Sequence, residues 1–179
     1  KTVVGDPANE EVRMGALASL AQRDEVRSAV AKLSSEAKLV FGDPNSVQVM
    51  GGDADKGAFI SPLLLLCDDP VKARLVHEVE AFGPVSTVLP YDSTEQAIEL
   101  AARGEGSLVG SVFTYDNDFA REMVMGAGSY HGRMLIVNRD CAKESTGHGS
   151  PMPMLIHGGP GRAGGGEEMG GIRGVMHYL

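Results

Sequence analysis

The stretch that decides the fold is HEVEAFGPV, residues 77–85, which leads into an apolar run. Glu80 and Phe82 stand two positions apart, directly before Gly83 and Pro84. Proline fixes its own φ angle and pushes the residue before it towards extended or turn geometry. Side chains at positions i and i+2 of an extended backbone point to the same side. The stretch therefore predicts a carboxylate and an aromatic ring side by side at the entrance to a strand.

Strands and helices are predicted to alternate on both sides of this stretch. Apolar residues recur at helical spacing in three segments, 24–33, 93–102 and 116–125. Short apolar or β-branched runs predict strands at 38–41, 59–67, 85–89, 108–114 and 134–137. This order predicts an α/β fold with a largely parallel sheet flanked by helices.

The last third of the chain has a different composition. Residues 140–174 are dominated by Gly, Ser, Pro and His and contain few β-branched residues, which predicts a long Gly-rich C-terminal loop. With 179 residues the chain is large enough to bury a core of its own. We therefore expect residues 1–179 to form a single domain.

Composition excludes several classes of function. The formal net charge of -8 provides no basic surface for nucleic acid and disfavours adsorption to an anionic membrane. The longest apolar run, 59–67, is too short to span a bilayer. Two cysteines, Cys67 and Cys141, do not suggest a disulfide framework, which favours a reducing cytoplasm. We expect a cytoplasmic protein without nucleic-acid or membrane partners.

The residue types at positions 80 and 82 suit one kind of ligand. A carboxylate such as Glu80 can accept hydrogen bonds from both hydroxyls of a ribose, and the face of an aromatic ring such as Phe82 can pack on a nicotinamide ring. A loop carboxylate in solvent beside a phenylalanine in the core would have the same spacing. The spacing alone therefore leaves both interpretations open.

Other candidate sites are weaker. The run 159–164 matches G-x-G-x-x-G, but further glycines follow it and Pro160 lacks an N–H, so we do not interpret it as a dinucleotide loop. The histidines lack the spacing of zinc ligands, and we expect no metal site. Cys67 stands among leucines and is expected in the core, whereas Cys141 is expected to be a structural or incidental thiol on a loop. No residue is predicted to be catalytic, and residues that bind the substrate cannot be assigned.

Motifs over nearly the whole chain resemble, in the same order, those of the aldehyde dehydrogenase superfamily. They are VGDP at 4–7, the helical stretch 22–30, SPLLLL at 61–66, EAFGPV at 80–85, GSVFT at 110–114 and GRMLIVN at 132–138. Each motif is weak alone, and together they are specific. The resemblance implies that Glu80 and Phe82 hold the nicotinamide half of NADP or NAD.

The resemblance also implies what this chain lacks. In that family the catalytic cysteine lies shortly before the VGDP segment and the general base lies earlier, so both are expected upstream of position 1. Residues 1–179 are then part of the catalytic, C-terminal subdomain and are predicted to be inactive alone. The full-length protein is expected to be a homo-oligomer, as members of the family are.

The glycine-rich region points to a subgroup. AKESTGHGSP at 142–151 and HGGPGRAGGGEE at 157–168 resemble bifunctional enzymes in which a hydratase domain follows the dehydrogenase domain. The implied reaction is oxidation of a CoA-linked semialdehyde of phenylacetate degradation to the acid through a cysteine thioester. Two alternatives remain open, a non-catalytic α/β binding or assembly module with this fold and an acyl-phosphate reductase.

Overall fold

The computed structural model describes residues 2–145, 158–164, 172, 175, 176 and 179. The chain divides into two compact units, Lys1–Pro90 and Tyr91–Leu179. Each unit is a packed body with its own strands and helices. The expectation of a single domain over 1–179 stays a prediction.

The first unit contains five strands and two helices within its described residues. They are β1 (Val4–Gly5), α1 (Leu20–Leu33), β2 (Lys38–Phe41), β3 (Val49–Met50), β4 (Leu63–Leu66), α2 (Leu75–Glu78) and β5 (Val85–Val88). β4 lies at the centre of a sheet with the order β2-β4-β5, parallel to β5 and antiparallel to β2. β1 and β3 form a separate parallel pair.

α1 covers the sheet through two groups of buried side chains. Val26 and Val30 of this helix pack with Ile60 and Leu63. A second cluster, which we call the lower core, consists of four buried residues at the end of α1, in the turn after it, in β4 and just beyond β4: Leu33, Ala37, Leu65 and Cys67. Burial of these apolar side chains is the main force that holds helix and sheet together.

α1 begins four residues earlier than predicted, and a capping box explains the difference. The hydroxyl of Ser19 accepts a hydrogen bond from the backbone N–H of Gln22 at 3.1 Å. The side-chain oxygen of Gln22 accepts one from the backbone N–H of Ala18 at 2.9 Å. The first bond satisfies a donor that the first helical turn leaves unpaired, and the second ties the residue before the cap to that turn, so the helix extends to Leu20 although Leu20 and Ala21 are exposed.

The second unit contains α3 (Thr94–Ala102), β6 (Ser107–Phe113), α4 (Asn117–Ala127) and β7 (His131–Val137). β6 and β7 pair in parallel along their whole length. Ser93 and Asp116 cap the two helices, because their side-chain oxygens accept hydrogen bonds from backbone N–H groups of the first turn. β7 begins three residues before the predicted strand at 134–137.

The predicted α/β class with parallel strands and flanking helices is confirmed. Strand β2 was predicted without its direction, and it runs antiparallel to β4. β3 and α2 were not predicted, because elements of two to four residues are too short to show a period. Most of the predicted Gly-rich loop lies outside the described residues; in the described part, Gly161–Ala163 form a 3-10 turn. None of the described helices is long and apolar enough to cross a membrane.

Candidate functional site

The segment from α2 to β5 presents Glu80 and Phe82 to solvent. α2 ends at Glu78, and Val79 adopts extended angles of φ -89 and ψ 119. Val79 and Ala81 pack against the lower core. Glu80 and Phe82 alternate with them and are exposed, Phe82 by 68%. This alternation places both side chains on the outer side of the segment, and it excludes the interpretation of Phe82 as a core residue.

The corner after Phe82 is fixed by close packing. The N–H of Gly83 donates to the carbonyl of Ala81 at 2.7 Å, and the carbonyl of Pro84 accepts from the N–H of Leu63 at 2.8 Å. A Cβ at Gly83 would lie 2.8 Å from a methyl carbon of Val26, which is itself buried. Only glycine therefore lets the chain pass this close to α1.

The start of the segment is held by a carboxylate from a distant part of the sequence. Glu36 lies in the turn between α1 and β2. One of its carboxylate oxygens, Oε2, accepts hydrogen bonds from three consecutive backbone N–H groups: those of Arg74 at 3.0 Å, Leu75 at 2.6 Å and Val76 at 3.2 Å. Glu36 was not predicted as a functional residue, because no sequence pattern relates it to partners that lie 38 to 40 residues further along the chain.

The end of the segment is held by α1. The side-chain amide of Gln22 donates a hydrogen bond to the carbonyl of Phe82 at 2.7 Å. Sequence analysis placed Gln22 on a helix but gave it no role at the site. The capping box at Ser19 orients this amide, so the same side chain starts the helix and holds the site.

An open cavity of ≈570 Å³ lies beside Phe82. Its wall consists of residues 14–17, Gln22, Ile60 and 81–84. Among these described lining residues, Gln22 alone carries a polar side chain. A mostly apolar wall with one amide suits a flat ring with a polar edge.

Glu80 is available for a ligand. Its side chain is exposed, and within the described part of the chain its carboxylate has no hydrogen-bond or ion-pair partner. A carboxylate in this state can accept two hydrogen bonds from vicinal hydroxyls without first breaking an internal contact.

Neither cysteine lies in the setting of a nucleophile. Cys67 belongs to the lower core, as predicted, and burial raises the pKa of its thiol. Cys141 is half-buried in the turn after β7, where its backbone N–H donates to the side-chain oxygen of Asn138 at 3.1 Å. The Asn138 N–H lies 3.4 Å from the Cys141 sulfur. That no residue of this chain is catalytic stays a prediction.

The discounted motifs remain without a site. The 3-10 turn Gly161–Ala163 occupies the G-x-G-x-x-G run, and no longer helix begins there among residues 158–164. The ring of His131 bonds the carbonyl of Ala127, and His148, His157 and His177 lie outside the described residues. In the described part of the chain, no group of three or more His, Cys, Asp or Glu residues could hold a metal ion. The absence of a metal site stays a prediction.

Comparison with known proteins finds a matching family model and relatives with similar sequences. The family model described as "Aldehyde dehydrogenase family" matches residues 1–179. A protein of Klebsiella aerogenes named MaoC is 48% identical over 93% of this chain and 48% of its own length. The 3,4-dehydroadipyl-CoA semialdehyde dehydrogenase of Aromatoleum evansii is 45% identical over 88% of this chain and 30% of its own length. The chain thus spans about half, or less, of the length of these relatives.

The solved structures that this chain matches include aldehyde dehydrogenases. A mutant of aldehyde dehydrogenase C from Pseudomonas syringae, in complex with NAD+ and octanal, matches 99% of this chain and 33% of its own with a TM-score of 0.75 and 30% identity. A Mycobacterium tuberculosis aldehyde dehydrogenase in complex with NAD+ matches 99% of this chain and 33% of its own with a TM-score of 0.76 and 28% identity. The resemblance drawn from the EAFGPV motif and its neighbours is confirmed, and the subgroup resemblance agrees with a CoA-semialdehyde dehydrogenase among the relatives. The chain belongs to the aldehyde dehydrogenase family.

Proposed function

We propose that the protein containing this chain is an NAD(P)-dependent aldehyde dehydrogenase, and that Glu80 and Phe82 bind the nicotinamide half of the dinucleotide. One observation carries the proposal: an exposed carboxylate, without a partner among the residues that the structure describes, and a phenyl ring exposed by 68% lie on the same side of a segment fixed at both ends. Two relatives of known structure were solved with NAD+.

The residues present fit such a cofactor. The Glu80 carboxylate would accept hydrogen bonds from the hydroxyls of the nicotinamide ribose, and the ring of Phe82 would pack on the pyridine. The apolar cavity beside Phe82 would exclude water from one side of that ring. The chemistry that the bound nicotinamide supplies is acceptance of a hydride. The role of this chain is to orient the pyridine.

We also propose that the nucleophilic cysteine and the general base belong to a part of the longer protein that precedes this chain. Cys67 is buried and its thiol has a raised pKa, which disfavours the thiolate. The relatives are at least twice as long as the matched region. A thiolate supplied from elsewhere would attack the aldehyde carbon to give a thiohemiacetal, and loss of a hydride from that carbon to the nicotinamide would leave a thioester. Water activated by a carboxylate would then hydrolyse the thioester, which releases the acid and the thiol. Residues 1–179 alone should then yield no reduced nicotinamide with any aldehyde.

The proposed substrate is a CoA-linked semialdehyde, with NADP or NAD as acceptor. The name of the Aromatoleum relative, which shares 45% of its residues with this chain in the matched region, supports the substrate class. We further propose a place in phenylacetate catabolism, a bifunctional enzyme with a hydratase domain, a cytoplasmic location and a homo-oligomeric assembly. Strand β2, whose four residues are all exposed, is an edge strand of its sheet among the described strands, and an exposed edge suits assembly.

The test uses Glu80→Ala and Phe82→Ala in the full-length protein. Each should raise the dissociation constant for NAD(P)+ about tenfold, as expected for loss of roughly 1–2 kcal/mol of binding free energy. Matched controls are Glu25→Ala, which removes an exposed carboxylate from α1, and Phe113→Ala, which removes a ring exposed by 76% from β6. Unchanged dinucleotide affinity in both site variants would contradict the proposal. It would then favour a non-catalytic module with this fold.

A further inference from the structure

We propose that Glu36 is a positioning residue for the dinucleotide site, because its carboxylate fixes the backbone that presents Glu80 and Phe82. The inference rests on the proposed function of those two residues. It adds a residue that touches no ligand and that lies 44 positions before Glu80 in the chain.

Glu36 has a rigid base from which to act. It stands between Leu33 and Ala37, two buried members of the lower core. The N–H groups of Glu36 and Ala37 both donate to the carbonyl of Leu33, at 3.0 and 2.9 Å. The backbone of Glu36 is therefore tied to the end of α1, and its half-buried side chain extends from an anchored turn.

α2 depends on this carboxylate. A helix of four residues forms too few internal hydrogen bonds to be stable by itself. Its capping position is occupied by Arg74, whose side chain makes no capping bond. The guanidinium of Arg74 pairs instead with Glu78, at the other end of the same helix. Glu36 thus supplies the acceptor that the first turn lacks, with a negative charge at the helix end that favours it.

A short chain of bonds connects Glu36 to the ligand-facing residues. Leu75 donates its N–H to Glu36, and its carbonyl accepts from the N–H of Val79 at 2.8 Å. Val79 directly precedes Glu80 and packs on the lower core, to which Ala37 also belongs. Two hydrogen bonds and one shared cluster therefore set the point at which the extended segment starts.

The other end of the segment is held independently. Gln22 holds the carbonyl of Phe82, and Gly83 is pressed against Val26. Loss of the Glu36 carboxylate would release the start of the segment and leave its end in place. Glu80 would then sample more orientations, and ordering it would cost part of the binding free energy. The expected consequence is weaker dinucleotide binding without a change in the affinity for the aldehyde.

The experiment compares Glu36→Ala with Glu36→Gln in the full-length protein. The Ala variant should bind NAD(P)+ about tenfold more weakly, as for loss of charge-assisted hydrogen bonds, and the Gln variant, which keeps one acceptor oxygen, should be intermediate. Amide hydrogen exchange at Leu75 and Val76 should accelerate in both variants. KM for the dinucleotide should rise while KM for the aldehyde stays the same.

The matched control is Asp116→Ala. Asp116 caps α4 in the second unit by accepting from the N–H groups of Asp118 and Phe119, at 2.9 and 3.1 Å. Its removal should lower the melting temperature but leave dinucleotide affinity unchanged. If both Glu36 variants also had a lower melting temperature and an unchanged dinucleotide affinity, the inference would be overturned, because Glu36 would then have a purely structural role.

The outcomes separate the inference from the function on which it rests. Weaker binding in the Glu80 and Glu36 variants supports both. Weaker binding in the Glu80 variant alone overturns the role of Glu36. Unchanged binding in the Glu80 and Phe82 variants overturns the proposed function and the inference with it. If the Ala variant does not fold, the Gln variant decides through its dissociation constant and its exchange rates at Leu75 and Val76.

Discussion

Two irregular stretches are held in place by opposite means. In the first unit, the side chains of Glu36 and Gln22 bond to backbone groups of the ligand-facing segment and leave the side chains of Glu80 and Phe82 exposed. In the second unit, residues 158–164 lie directly against other backbone, and glycine makes the contact possible. A Cβ at Gly106 would lie 1.9 Å from the carbonyl oxygen of Pro160, and one at Gly132 would lie 1.8 Å from that of Gly158.

The difference concerns what each stretch can do. A segment held by side chains from elsewhere, and by its own Val79 and Ala81 on the inner side, can present a carboxylate and a ring to solvent, since Glu80 and Phe82 take no part in holding it. A stretch held by backbone contact has no room for side chains on the side that touches its neighbour. Chemistry is therefore expected from the first arrangement, and close packing from the second.

The largest effect is expected at the backbone contact. Gly106→Ala would place a methyl group against the carbonyl of Pro160, at a position where φ is +123°. Strain and overpacking together should lower the free energy of unfolding by about 3 kcal/mol. Urea unfolding of the full-length protein would measure this. Gly104→Ala is the matched control, because nothing lies within 4 Å of its Cβ position. An equal loss of unfolding free energy in both variants would show that the contact between Gly106 and Pro160 is not the cause.

A smaller effect is expected at the corner of the site. Gly83→Ala would bring a methyl group to 2.8 Å from Val26 and should cost about 2 kcal/mol of unfolding free energy. It should also weaken dinucleotide binding, because the ring of Phe82 would move. A double-mutant cycle with Val26→Ala should show a favourable coupling, since the smaller residue makes room. Simple additivity would mean that the two residues do not press on each other.

Replacement of Gln22 by Glu isolates one of the side-chain contacts. The carboxylate keeps an acceptor for the N–H of Ala18 but loses the donor to the carbonyl of Phe82. The expected loss of stability is about 1 kcal/mol, the size of one hydrogen bond, and Gln22→Ala should cost more because it also breaks the capping box. Thermal unfolding of both variants would measure this order, and the reverse order would refute it.

The smallest effect is expected from an exposed ion pair. Asp69 and Lys72 pair at 2.6 Å, and the hydrogen bond from Lys72 lowers the pKa of the Asp69 carboxyl. A carboxyl whose folded pKa is lowered stabilises the protein above its unfolded pKa, and this contribution disappears as pH falls through the folded pKa. Lys72→Ala should raise the pKa of the Asp69 carboxyl part of the way to its ordinary range, because the backbone N–H of residue 72 still donates to this carboxyl, and stability near neutral pH should hardly change; NMR titration would follow the pKa. A large loss of stability in Lys72→Ala near neutral pH would contradict this prediction, because it would show that the exposed pair contributes as much as a hydrogen bond of the site segment.

Features set by interactions between residues close in sequence were predicted, and those set by residues far apart in sequence were not. The end of α3 at Ala102 was predicted correctly, because the residues that define this helix, Ser93 and the apolar positions after it, all lie within the helix or next to it. The placement of Glu80 and Phe82 on the same side of the chain was predicted from a two-residue period and a proline, whereas their exposure was left open. Glu36 was missed, although its contact with Leu75 is among the shortest hydrogen bonds of the site segment, because the partners are 39 residues apart.

By itself, the amino-acid sequence determined the three long helices, the strand runs, the Gly-Pro corner, the spacing that puts Glu80 and Phe82 on one side of the chain, and the family. These features depend on neighbours within about four residues, whose geometry the backbone dictates. Only the tertiary structure decided that Glu36 caps α2, that β2 runs antiparallel to β4, and that Gly106 must lack a side chain. Each of these depends on which distant segments the burial of apolar surface brings together, and that choice is made by the whole core.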